Sequence, residues 1–230
     1  MVRNLLIAAT VGALALGATS CASGPADDEA TAKAGDLCGI AGDSTAKNAL
    51  TDLLGTSALE TDHDGDVSEA AKEMKDGLTH PLGAGDESGS DVCSIALRDQ
   101  HAGDDLTFSF AWRYAFSLEE TSETSPGSTF YNLDGAVGES STDRARIYVP
   151  CTPPGDSASP DRDRFLLAQS ESALPRNRDA KANPRDNQMT ALHAVARKMA
   201  HEVGCANEPL KAKTDLTHYD TLQDAARAKA

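Results

Sequence analysis

The chain is poor in aromatic residues, in positive charge, in long apolar runs and in the short motifs of common enzymes, and each scarcity excludes something. Aromatics make up 4% of the 230 residues, as five Phe, four Tyr and one Trp. A core rich in rings throughout is therefore excluded, and the few rings present must be concentrated to matter. The apolar run from Leu5 to Gly17 is shorter than the roughly 20 residues a spanning helix needs. Lys and Arg number 21 against 36 Asp and Glu, a net charge of −15. So acidic a body disfavours nucleic acid and does not adhere to an anionic bilayer. There is no G-x-S-x-G, no H-E-x-x-H and no C-x-x-C, and no solenoid repeat or heptad. Carboxylates are plentiful, but spacing alone does not single out an acid/base pair. No catalytic, cofactor-binding or metal-binding residue is assigned.

What the chain does have is LTFSFAWRYAFSL, Leu106 to Leu118. Its even positions are Leu106, Phe108, Phe110, Trp112, Tyr114, Phe116 and Leu118, and small or polar residues alternate with them. Strict alternation marks an extended strand, because successive side chains point to opposite faces. Half of all the aromatic residues thus sit on one face of one strand. Five such rings bury about 1,000 Å², on the order of 25 kcal/mol gross and an upper bound. The strand is expected at the centre of the core. An open aromatic platform for stacking flat ligands would instead require the rings to be solvent-exposed.

The start of the chain reads as an export signal. Arg3 precedes the apolar core, and Ala18-Thr19-Ser20-Cys21 follows it. This ending resembles the lipobox of bacterial lipoproteins, with Ala18 where Leu is commonest. The resemblance implies a diacylglyceryl group on Cys21 and cleavage before it. Ala18-x-Ser20 also fits an ordinary signal-peptidase site. The chain has five Cys, an odd number for an exported protein. Cys21 assigned to lipid leaves Cys38, Cys93, Cys151 and Cys205, an even set. Two acyl chains anchor far more firmly than one. The expected partner is therefore the membrane, through that anchor and not through the body, whose charge becomes −16 once Arg3 leaves with the signal.

Residues 1–20 are expected to be the signal, 21–35 a lipidated flexible tether, 36–207 a single domain and 208–230 a charged tail with a short helix after Thr217. In the domain a helix over Ser44 to Leu54 presents Ala46, Leu50, Leu53 and Leu54, capped by Asp43 or Ser44 and ended by Gly55. Asp62 to Glu73 tests as a calcium loop and fails. Acidic residues occupy positions 1, 3, 5 and 12, but Val67 stands where the turn wants Gly, so an acidic surface turn is expected. A short helix follows over Ser68 to Gly77. Cys93, Ile95 and Leu97 share a parity and predict a strand paired in a hairpin with the aromatic one. Short strands are expected around Phe130 and Tyr131, over Arg144 to Cys151 (ended by its prolines) and over Arg164 to Gln169. Asn183, Pro184 and Gly204 bracket the clearest helix, striped by Met189, Leu192, Val195, Ala196, Met199 and Val203. His193 and His201 lie too far apart on it to hold zinc together, and boundary and surface roles are expected for them.

Each of the pairs Cys38/Cys93 and Cys151/Cys205 joins a helix-end Cys to a strand Cys. Sequential pairing is thus favoured among three connectivities. The fold class is α+β: an antiparallel sheet packed with helices and stapled by two disulfides. Asp36-Leu37-Cys38-Gly39-Ile40, Cys93 and Gly204-Cys205 together resemble small lipoproteins of unknown function in actinobacteria. Ser94 and Ile95 stand where those proteins often carry an aromatic residue. The resemblance implies an extracytoplasmic lipoprotein on the outer face of the cytoplasmic membrane, and it brings no activity with it. The expected role is a binding or accessory module of the cell envelope, not an enzyme, with ligand and protein partner unknown. The alternative is a secreted or surface-tethered hydrolase whose site cannot be read from sequence.

Overall fold

In a computed structural model, the residues described are 34–40, 45–57, 59–61, 67–78, 89–97, 105–114, 127–152, 164–173, 183–206, 210–212 and 215–228. The signal, most of the tether, Cys21, Asp43 and Ser44, Asp62 to Asp66, and Phe116 lie outside them.

The aromatic strand is central, as its alternation requires. It runs from Asp105 to Tyr114 and is the third of eight strands among the described residues, β3. The others are β1 Leu59–Thr61, β2 Gly89–Leu97, β4 Thr129–Asn132, β5 Val137–Ser140, β6 Arg144–Pro150, β7 Arg164–Ser172 and β8 Thr217–Tyr219. They form one antiparallel sheet in the order β1-β2-β3-β7-β6-β5-β4-β8. Strands β1 to β3 follow one another. The chain then jumps to the far side and meanders back through β4, β5 and β6 until β7 pairs with β3.

The helices α1 Thr45–Leu54, α2 Val67–Leu78 and α3 Pro184–Val203 join one core cluster with the even-numbered side chains of β3. We call this the inner face. Leu106, Phe108, Phe110 and Trp112 are at most 2% exposed. For these the exposed-platform reading is excluded. Trp112 satisfies its one donor by giving Nε1–H to the carbonyl of Met74 on α2, 3.1 Å away. All six stripe residues of α3 are fully buried. Helix α3 begins and ends where its sequence says it should. The Asn183 side chain accepts from Arg185 N, and Gly204 adopts φ 80°, a left-handed conformation that suits glycine. Cys205 N then donates back to Ala200 O at 2.9 Å, closing the helix end in a Schellman turn.

That turn aims Cys205 at Cys151, just past the end of β6. The Cα atoms are 5.0 Å apart, and the two cysteines are bonded. Cys38, at the end of a 3-10 helix over Ala34–Gly39, is bonded to Cys93 on β2 with a Cα separation of 5.6 Å. Both separations suit a disulfide. The sequential connectivity is the one present.

Four local readings differ from expectation. Leu59–Thr61, for which no strand is expected, pairs with β2 as an edge strand. Strand β5 has no sequence signal, because Val137-Gly-Glu-Ser lacks alternating apolar residues; it is fitted between β4 and β6 by the hairpin turn at Asp134 and Gly135. His193 is buried, 5% exposed, instead of lying at a boundary. Finally, residues 208–230 are not only a charged tail: the short helix expected after Thr217 is present as α4, Leu222–Arg227, but it packs onto Phe130 and Val137, Leu210 is buried in the main core, and β8 extends the sheet beyond β4.

Candidate functional site

The odd-numbered residues of β3 point away from α1, α2 and α3, and the register places their neighbours in rows. Ser109 faces Gln169, which faces Arg146, which faces Glu139. One step along, Thr107 faces Glu171, which faces Arg144. The outer face of the sheet is therefore a ladder of charged and amide groups. Arg146 donates Nε–H to Gln169 Oε1 at 3.0 Å, and Gln169 passes its Nε2–H to Glu171 Oε1 at 2.9 Å. Arg144 Nε lies 2.8 Å from the same Glu171 oxygen, with both side chains about half exposed.

A cleft of about 530 Å³ opens along this ladder. Asp91, Asp105, Asp143 and Glu171 supply four carboxylates against the single guanidinium of Arg144; Thr107, Ser109, Gln169 and Ser172 add neutral hydrogen-bonding groups. Such a mostly polar wall suits a hydrated polar ligand. Deeper on the same face, Glu139 is 6% exposed. Its Oε1 accepts from Ser128 at 3.0 Å, while its Oε2 has no hydrogen-bond partner among the described residues. Tyr148 sits beside Arg146, and its phenol is pushed above its ordinary range by burial, with Arg146 pulling the other way.

A second cleft, about 520 Å³, lies at the opposite edge of the sheet between β4 and the C-terminal segment. Ser128, Thr129, His218, Tyr219, Asp220 and Asp224 line it. His218 is positioned by two elements. Its Nε2 is 2.9 Å from Asp186 Oδ1 in the first turn of α3, and its ring meets Tyr131 of β4 edge-on, with centroids 5.1 Å apart. Tyr131 donates its hydroxyl to the same Asp186 oxygen at 3.0 Å. A carboxylate that orients an imidazole is the geometry of a general base. Of the hydroxyls on this wall, Ser128 donates to Glu139 and Thr129 accepts from Arg185. No nucleophile hydrogen-bonded to His218 is present among the described residues.

Among the residues expected to carry function, Cys38, Cys93, Cys151 and Cys205 are all in disulfides. His193 is buried on α3 and His201 is exposed. The imidazole of His193 is lowered to about 4, first by burial, then by Arg197, with Asp134 opposing. Sequence reasoning passed over the Asp186–His218–Tyr131 cluster, whose members stand on three different elements. The outer ladder did leave a trace, in that Arg144, Arg146 and Tyr148 share the parity opposite to Ile147 and Val149. Among the described residues no group of three or more His, Cys, Asp or Glu side chains could hold a metal, and no helix is long and apolar enough to cross a membrane. No family model matches this chain, and no curated protein or solved structure matches it either.

Proposed function

We propose that the protein is an extracytoplasmic lipoprotein, held on the outer face of the cytoplasmic membrane through Cys21. In this reading it works there as a binding or accessory module of the envelope. The observation that carries the proposal is the cysteine accounting. Cys38 is tied to Cys93 and Cys151 to Cys205, which leaves Cys21, in its lipobox-like setting, as the one thiol outside the folded staples. Disulfides persist in oxidising compartments, and a lone thiol there is accounted for by acylation. The two clefts are lined by hydroxyl, amide and charged groups, which suit contact with a hydrated polar ligand. One contact favours the hydrolase alternative: the Asp186–His218 pair on a cleft wall.

Metabolic labelling with a clickable fatty acid, followed by intact-mass analysis, tests the anchor. Labelled wild-type protein starting at Cys21, and an unlabelled Cys21→Ala variant, are expected. A water-soluble mature form with a free thiol would discard the proposal.

A further inference from the structure

The C-terminal segment Thr217–Arg227 contributes no apolar side chain to the main core. The last apolar side chains before it that reach the main core are Leu210 and Leu216. Beyond Leu216 the segment grips the sheet edge from both faces. On the inner side His218 meets Asp186 and Tyr131. On the outer side Leu222 and Ala225 pack with Phe130 and Val137 in a small cluster separate from the main core. Between the two grips, β8 pairs with β4 over three residues, and Asn132 Nδ2 donates to the carbonyl of Ala225 at 2.9 Å. The helix is capped within the segment, Thr221 accepting from Asp224 N at 3.1 Å.

We propose that β8 and α4 form a strap that opens and closes as one unit while the rest of the domain stays folded. Local openings follow the cooperative units of a structure, and units with few buried apolar contacts open at the lowest free energy. The strap buries two side chains, Leu222 and Ala225, whereas α3 buries eleven residues. Opening has a natural limit. Leu216 and Leu210 remain on the main core, and Cys205 is bonded to Cys151, so release does not spread into α3. The consequence is functional. Ser128 and Thr129 of the 520 Å³ cleft belong to the body, whereas His218, Tyr219, Asp220 and Asp224 belong to the strap. The cleft is assembled only when the strap is closed. Opening removes one wall and bares the edge of β4 together with Phe130 and Val137. A ligand seated in the cleft binds the closed state alone and therefore holds it shut.

Native-state hydrogen exchange on the mature protein, with both disulfides intact, tests this strap. The paired amides of β8 and those of Ala225 and Ala228 in and after α4 are expected to share one opening equilibrium, at least about a hundredfold more open than β3 and β7. Leu222→Ala, far from the main core, is expected to speed exchange in β8 and α4 together by roughly tenfold to a hundredfold. Strands β3 and β7 should be unaffected. His218→Gln, which removes the inner grip, is expected to raise both by a few-fold. Strap amides as protected as β3 would overturn the proposal. So would a Leu222→Ala effect confined to α4, or one spread equally over the whole domain.

Discussion

The two faces of the sheet are made by the same strands yet are held by different forces. On the inner face Phe108, Phe110 and Trp112 meet three helices, and all are at most 2% exposed. On the outer face the same strand contributes Thr107 and Ser109, and its neighbours supply Arg144, Arg146, Gln169 and Glu171. The only described helix on that side is the six-residue α4. Burial of apolar area stabilises at about 25 cal/mol per Å², whereas half-exposed ion pairs contribute about 0–1 kcal/mol each. The inner face should therefore carry the stability, and the outer face is left free to vary with function.

Truncating the inner face is the largest expected effect. Trp112→Ala removes the ring that fills the space beside α2 and leaves the Met74 carbonyl without its donor. A loss of about 3–5 kcal/mol follows, a large part of the stability of most domains. Urea unfolding with both disulfides intact measures it. A loss below about 1 kcal/mol would mean that the aromatic row is not the core.

The inner face also holds a buried titrating group, and its effect comes next in size. His193 has a native pKa of about 4 against 6.5 for an ordinary imidazole, chiefly because burial disfavours its charged form. Between those two pH values the unfolded chain takes up a proton that the native state refuses. The contribution is thus fully present above pH 6.5 and is lost as pH falls toward 4, by up to about 3 kcal/mol. Comparing the stability of wild type and His193→Gln at pH 7.5 and pH 4.5 isolates it. The variant should show a shallower fall. Parallel pH profiles would show that the ring accepts its proton in place.

The difference between the faces also explains what could be read in advance. The inner face was legible because burial imposes a period: two on β2, β3 and β6, and helical on α1 and α3. Asn183, Pro184 and Gly204 then marked the ends of α3 through backbone chemistry that is local in sequence. The disulfide pairing was legible because each cysteine lies at the end of an element or on the inward parity of a strand. Strand β5 was not legible. Gly138 has the Met189 side chain so close that an added Cβ would sit 2.9 Å from its sulfur, and buried Glu139 breaks the apolar pattern. Its residues are chosen by the neighbours they meet. The same holds for Asp186 and His218, which are 32 positions apart and meet only because β8 docks on β4. The contacts of the candidate site are long-range and polar, and neither property leaves a periodic trace.

The smallest expected effect tests the outer face. Glu171 links Arg144 and Gln169, and its side chain is 51% exposed. Water screens this ion pair, and two long side chains lose rotamer freedom to hold it. Glu171→Gln keeps the shape and removes the charge, so unfolding should shift by no more than about 0.5 kcal/mol. The same change removes one of four carboxylates from the 530 Å³ cleft and alters its electrostatics considerably. A nearly silent stability measurement is therefore what separates a ladder kept for contact from one kept for support. A loss of about 2 kcal/mol or more would make the outer ladder a structural network, with both faces sharing the work of holding the sheet.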